Sequence, residues 1–375
     1  MLIEENKPLA PFTTFGIGGP ARWFVEAASE DEIVEAVAWA RERGAALFVL
    51  GGGSNLLVSD AGFDGLVLRV GLRGISAADL PDEPNQTDQR IYQAAAGEGW
   101  DGFVERAVED NCAGIECLAG IPGTVGGTPV QNVGAYGQEV ASVIERVRAY
   151  DLQNHGFIEF QAAECGFAYR RSRFNATDRE RYIVTRVDYR LTLGGAPTVR
   201  YAELERALQE RQKEGREVSL AEVAAVVRCI RKSKGMLMVE GDPDCHSAGS
   251  FFKNPIVAEE RLRRIAENSG KEPPRFPAGS DLRSGGQESS LFKVPAAWLI
   301  EQAGFAKGYR LGWAGISSRH TLALVNLIDS KGLEDREGRG GASAREVLAL
   351  AAQITAAVEA RFGIRLEMEP VMVGF

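Results

Sequence analysis

Several stretches of this 375-residue chain combine residue types and spacings that suit chemistry on an anionic ligand. From Gly97 to Gly137 the chain is rich in glycine among small or neutral side chains, with Gly120, Gly123, Gly126 and Gly127 gathered around Pro122. Glycine tolerates positive φ and lets a bulky group approach bare backbone, so such a loop can turn several N–H groups toward one anion. Gly51-Gly52-Gly53-Ser54-Asn55, delivered by the apolar run Leu47-Phe48-Val49-Leu50, repeats the device. Two cradles suit the pyrophosphate of a cofactor; tight turns without a ligand are the alternative. Phe167-Ala168-Tyr169-Arg170-Arg171-Ser172-Arg173-Phe174 interleaves aromatic and basic residues. It reads either as a solvated charge run or as a cation held rigidly near an anionic ligand. Ser247 to Pro255 carries a hydroxyl, an ammonium and an amide on an apolar turn. Near the end stand Glu367 and Glu369, which a strand places on one face.

Other chemistries lack raw material. Nowhere does the chain read GxxxxGK[ST], the phosphate loop of nucleotide hydrolases. Gly97-Glu98-Gly99-Trp100-Asp101-Gly102 does match GxGxxG after an apolar run, but Trp100 and Asp101 put bulk and negative charge where a pyrophosphate would approach a helix start. The five cysteines are odd in number and scattered, and no CxxC pair suggests zinc, so neither a disulfide framework nor a metal site is expected. With three histidines, a Ser-His-Asp triad also has little to draw on. A formal net charge of −9 gives no basic field for nucleic acid or anionic membrane. The N-terminal residues show no signal-like apolar stretch, so a cytoplasmic protein without membrane insertion is expected.

These residues need elements to hold them. A strand over 21–27, a helix opened by the capping box Ser29/Glu32 and stopped at Gly44, and strands ending at Leu50 and Val70 make a first α/β unit, 1–75. A second unit, 76–205, begins with a polar loop over 79–90, a strand from Ile91 and a helix over 101–111, then turns β-rich through 143–151, 156–161 and 182–193. Helical patterns over 202–212 and 219–234 lead into the remainder, 206–375. There 266–290 and 329–342 read as loops, 295–303 and 343–362 as helices, and 321–328 and 364–373 as strands.

In order along the chain, GGGSN at 51–55, GIECLAGIPGTVGG at 114–127, QNVGAYG at 131–137, FAYRRSRF at 167–174, GSFFKNP at 249–255 and LEMEPVMVGF at 366–375 resemble the UDP-N-acetylenolpyruvoylglucosamine reductase family. That resemblance implies an α+β protein with two α/β-type FAD-binding subdomains of the vanillyl-alcohol-oxidase-like flavoprotein fold, 1–75 and 76–205. The C-terminal α+β substrate-binding domain is then 206–375, its last strand, 364–375, returning to the active site. It implies non-covalent FAD held by Gly51, Gly52, Gly53, Ser54, Asn55, Gly120, Ile121, Pro122, Gly123, Thr124, Gly126, Gly127, Asn132, Gly134, Ala135, Tyr136 and Gly137. NADPH is the implied co-substrate, and the implied reaction reduces the enolpyruvyl group of UDP-N-acetylenolpyruvoylglucosamine to UDP-N-acetylmuramate, a cytoplasmic step of peptidoglycan synthesis, with hydride from flavin N5.

Hydride arriving at the terminal carbon leaves an enolate, so the site needs charge stabilisation there and a proton for the neighbouring carbon. By motif match Ser250 donates the proton while Arg170 and Glu369 flank the anion. Glu369 is chosen over Glu367 by its spacing to Gly374, although Pro370-Val371 stand where the family usually has an arginine. Tyr201, Lys234, Asn254 and His320 fall at substrate-binding positions, His320 being equally readable as an ordinary partly exposed histidine. No metal is implied, and a monomer is expected. A flavin oxidase is the nearest rival; it would often tether FAD through histidine, which both cradles lack, leaving Cys117 as a less ordinary candidate. A flavin- or UDP-sugar-binding module without turnover is the other, though a pure binder has no need of Arg170, Ser250 and Glu369 together.

Overall fold

The computed structural model describes residues 1–80, 88–209, 217–277, 291–328 and 340–375. The chain divides into two compact units that do not follow chain order. The first comprises Met1–Lys7, Ala21–Gly53 and Asp64–Ser233; the second comprises Pro8–Pro20, Ser54–Phe63 and Lys234–Phe375.

Among the described residues the first unit holds two large sheets and one short two-stranded one. In one, the strands run in the order Glu4–Pro8, Pro20–Ala27, Phe63–Val70, Ala46–Leu50, the last two parallel with Leu47 opposite Leu66 and Phe48 opposite Val67. Helix α1, Glu30–Glu42, begins where the capping box predicts: Ser29 accepts the Glu32 N–H at 3.2 Å and Glu32 accepts the Ala28 N–H at 2.6 Å. Its Ile33, Ala36, Val37 and Ala40 are buried at helical spacing. The other sheet runs Gly156–Gln161, Ile144–Asp151, Tyr182–Leu193, Gln89–Ala95, Ile75–Asp79, antiparallel throughout. Helix α2, Trp100–Glu109, contributes Trp100 and Phe103 to an aromatic cluster with Tyr92 and Tyr189, ring centroids 5.0 to 5.8 Å apart. Each such side chain contributes about 1.5–3 kcal/mol by burial. The buried phenols are satisfied, Tyr92 by Asp110 at 2.8 Å and Tyr189 by Thr128 at 2.6 Å. Helices α3, Ala202–Gln209, and α4, Leu220–Ser233, complete this unit. Thus residues 217–233, placed by sequence with the C-terminal portion, sit with the first unit, because the buried Val223, Val226, Val227 and Ile230 join its core.

The second unit is built on α5, Glu259–Ser269, α6, Ala296–Gln302, and α7, Ala344–Phe362. Helix α7 opens on a complete Ser343/Glu346 capping box and closes at Gly363, φ +65°. Asp60 adds a second acceptor at its start, taking the N–H groups of Ala344 at 2.7 Å and Arg345 at 3.1 Å. The strand expected over 321–328 is confined to Leu324–Asn326, and the one over 364–373 to Val371–Val373, which pairs in parallel with Leu56–Val58. The reading of 266–290 as a loop is corrected at its start, since α5 continues to Ser269; much of the remainder, and most of 329–342, lies outside the described residues. No helix among the described residues is long and apolar enough to cross a membrane.

Candidate active site

In the first unit the two glycine loops touch. A Cβ on Gly52 would lie 2.5 Å from Gly123 Cα, 2.7 Å from its carbonyl carbon and 2.9 Å from Thr124 N, all backbone atoms that cannot rotate aside. Only glycine fits there. Gly53, Gly120 and Gly123 have φ of +64°, +73° and +125°. At the contact sits the Thr124 hydroxyl, buried and without a hydrogen-bond partner among the described residues. A buried, unsatisfied hydroxyl costs about 1–3 kcal/mol, so it marks a place where a ligand acceptor or donor belongs. Tight backbone approach and an orphaned hydroxyl are what the phosphates of a dinucleotide cofactor require, and these residues fit FAD.

The second half of the cradle is held from outside. Asn132, at φ +44°, donates to Glu139 at 2.9 Å and to the Ala168 carbonyl at 3.1 Å, and accepts the Ala141 N–H at 3.1 Å. Gly134–Ala135 pairs with Gln138–Glu139, and Gly137 turns at φ +85°. Tyr136, at φ +50°, meets Tyr201 edge to face at 5.5 Å, and burial pushes its phenol up to about 12. Arg231 of α4 hydrogen-bonds that phenol, and burial pushes the guanidinium pKa down.

The basic-aromatic octapeptide separates into three different roles. Arg173 lies over the Phe160 ring and pairs with Asp178, and Arg171 is exposed. Of the three arginines, Arg170 addresses the cradle, its Nη1 donating to the Gly134 carbonyl at 3.1 Å. It is held at φ +54°, a conformation uncommon for a residue with a side chain, by the reciprocal Ala168/Arg171 backbone bonds and by Asn175 donating to its carbonyl. Cys117 is buried, its thiol pushed up to about 12 by that burial and donating to the Thr198 carbonyl at 3.1 Å, which keeps it neutral and unreactive.

In the second unit the loop bearing Ser250 and the glutamate segment form one backbone assembly. The Glu369 N–H donates to the Phe251 carbonyl at 2.9 Å, Phe252 faces Met368, and the Lys253 N–H donates to the Glu367 carbonyl at 2.9 Å. Ser250 is therefore the residue next to the one that holds the Glu369 amide. Lys253 Nζ pairs with Glu367 at 2.5 Å at the exposed side. Asn55 ties in from the first glycine loop, its side-chain N–H₂ donating to the Glu369 carbonyl at 3.3 Å and its own carbonyl accepting the Val371 N–H at 2.9 Å. Thr14 bonds the carbonyls of Ser54 and Ser247 at 3.3 and 2.6 Å, so the early threonine-glycine turn also belongs here. Asn254 gives its side-chain oxygen to the Ala296 N–H at the start of α6, 2.8 Å away. His320 is half-buried in a turn whose neighbour Arg319 clamps Asp242 and Asp244, and Gly235, directly after Lys234, packs on that clamp. Sequence reasoning missed the part played by Asp101, Arg228 and Arg231, because Asp101 and Arg231 meet only at Gly120 and Arg228 meets Asp101 only through the fold.

Comparison with known proteins gives the class first. Residues 21–154 match an FAD binding domain, and residues 242–373 match the C-terminal domain of UDP-N-acetylenolpyruvoylglucosamine reductase. The α+β class and the FAD-binding fold expected from sequence are both borne out, and FAD is the cofactor. A UDP-N-acetylenolpyruvoylglucosamine reductase of Thermobifida fusca is 45% identical over 99% of this chain and 98% of its own length; one from Streptomyces avermitilis is 45% identical over 99% and 94%. The crystal structure of the Thermus caldophilus enzyme superposes with a TM-score of 0.62 at 26% identity, covering 100% of this chain and 99% of that one. The chain belongs to the UDP-N-acetylenolpyruvoylglucosamine reductase family, and is an FAD-dependent oxidoreductase.

Proposed function

We propose that the protein reduces the enolpyruvyl group of UDP-N-acetylenolpyruvoylglucosamine with electrons from NADPH, giving UDP-N-acetylmuramate for peptidoglycan in the cytoplasm, and that it works as a monomer. Functionally, 1–75 and 76–205 bind FAD with support from α4, and the remainder of the C-terminal portion from 206 binds substrate. FAD, held by the two glycine loops, would supply two-electron hydride chemistry between NADPH and the substrate. The protein's own part is to hold the enolate and deliver one proton. Ser250 gives its hydroxyl proton to the carbon beside the enolate carboxylate, a step open to so weak an acid only because that carbon is strongly basic. Arg170, presented rigidly, supplies positive charge. Glu369 favours an enolate only if its carboxyl presents an O–H, since a carboxylate would repel the developing charge. Tyr201, Lys234, Asn254 and His320 hold the nucleotide sugar.

The observation that carries the reading is the Glu369–Phe251 backbone bond, which ties Ser250 and Glu369 into one assembly, in a chain of this family. The purified protein should show flavin absorbance that bleaches on anaerobic addition of NADPH and returns on adding the enolpyruvyl nucleotide sugar. Return only on admitting air overturns the proposal in favour of an oxidase. No bleaching with NADPH removes that nucleotide from it.

A further inference from the structure

The GxGxxG-like stretch Gly97–Gly102 is a platform under the cradle, not a second phosphate site. The Glu98 carbonyl accepts the Val125 N–H at 2.9 Å, the Trp100 N–H donates to the Gly123 carbonyl at 3.1 Å, and the Trp100 indole N–H donates to the Leu118 carbonyl at 3.2 Å. Asp101 completes the set: one carboxylate oxygen accepts the Gly120 N–H at 2.6 Å, and the other pairs with Arg228 of α4. Three residues further along the same helix face, Arg231 Nε donates to the Gly120 carbonyl at 3.0 Å. Both polar groups of Gly120, a residue at φ +73°, are therefore gripped by side chains. Its N–H is given to Asp101 and so is directed away from any anion in the cradle.

From this geometry we infer that Asp101, held by Arg228, is a positioning residue for FAD: it fixes the Gly120 peptide and thereby the direction in which the following residues of the cradle, through Thr124, meet the cofactor. The negative charge that disqualified Asp101 from a dinucleotide fingerprint is what makes it a strong acceptor here, and Arg228 offsets that charge. Glu105 also bonds Arg228, at 2.7 Å, so the arginine is anchored to α2 even when Asp101 is changed. The inference rests on the cradle being the place where FAD binds.

Titration of apoprotein with FAD, followed by flavin fluorescence, tests it, together with the visible spectrum of the bound flavin. Asp101→Ala should weaken FAD binding about tenfold or more, the value of a hydrogen bond to a charged acceptor, and shift the spectrum. Asp101→Asn keeps an acceptor for the Gly120 N–H and should stay within about threefold with an unshifted spectrum. A general structural role would not be rescued by Asn in this way. Wild-type affinity and spectrum in Asp101→Ala, or equal weakening in both variants, overturns the inference. If Asp101→Ala does not fold, Arg228→Gln decides: about threefold weaker binding supports the pair, and unchanged binding refutes it. Failure of the wild-type protein to bind FAD would instead reject the cradle as the cofactor site.

Discussion

Gly52→Ala is the sharpest test of how the two glycine loops meet. The new methyl would lie 2.5 Å from Gly123 Cα, and ordinary contact begins near 3.4 Å, so about 0.9 Å of separation has to be found. No side chain can give way, because the next two atoms in reach are also backbone, at 2.7 and 2.9 Å. The loop from 120 to 127 must move, and it is pinned by Trp100, Asp101 and Arg231. Overpacking of this kind costs about 1–3 kcal/mol. Charged against the bound conformation of the cradle, that is roughly 5- to 150-fold in FAD affinity. Gly102→Ala is the control: it lies inside α2 with nothing within 4 Å of a new Cβ, and should stabilise the helix by about 0.5–1 kcal/mol. The assay is FAD titration of both apoproteins with melting temperatures alongside. If Gly52→Ala binds FAD within twofold of wild type while keeping its melting temperature, the loops are not in the contact described and the fit to FAD loses its basis.

Thr124→Val removes the orphaned hydroxyl, so without FAD the melting temperature should hold or rise, while FAD affinity falls about fivefold, the worth of one neutral hydrogen bond; a lower apoprotein melting temperature would show that the hydroxyl has a protein partner. Ser250→Ala should leave flavin reduction by NADPH intact and slow reoxidation by the enolpyruvyl substrate at least hundredfold. Equal loss of both half-reactions would remove Ser250 as the acid. Glu369→Ala should slow that same reoxidation about hundredfold and Glu367→Ala less than threefold, and the reverse order would move the role to Glu367. Acid stability should follow Asp151, whose carboxyl Arg181 holds well below the ordinary 3.8 with help from the Gln153 and Asn154 N–H groups, against the opposing effect of burial. A depressed folded value means stabilisation that is full above 3.8 and lost as pH falls below it. Asp151→Asn should lower the melting temperature at pH 7 by about 2–4 °C and flatten its decline in acid, as a pH series of thermal melts would record.

The cradles were legible because glycine is the one residue whose absence of a side chain is itself the signal. Elements with a long amphipathic period were legible for the same kind of reason: α1 announces its start with the Ser29/Glu32 capping box, and α1 and α7 both show their faces by apolar spacing. Helix α5 gave little to read, since Glu259–Ser269 is mostly charged and buries only Leu262 and Ile265. Three arginines in eight residues could not be ranked from composition. What separates them is whether Phe160, solvent or the Gly134 carbonyl lies opposite, and those contacts depend on the fold. The platform role of Gly97–Gly102 was hidden because most of its bonds use main-chain atoms, and the partner of its one telling side chain stands at position 228.

The pair Glu367 and Glu369 shows how a period-two reading leaves the chemistry open. A period of two puts both carboxyls on one face, and nothing in LEMEP distinguishes them. The backbone register does. Lys253 lies opposite Glu367, and their ion pair at 2.5 Å spends that carboxylate at a position where the glutamate side chain is 71% exposed. Phe251 lies opposite Glu369, which is half-buried and adjacent to the segment bearing Ser250. The lysine of GSFFKNP thus gains a reading that its own position could not supply. By pairing with Glu367 it offsets that negative charge, and Glu369 is the glutamate whose backbone is bonded directly beside Ser250.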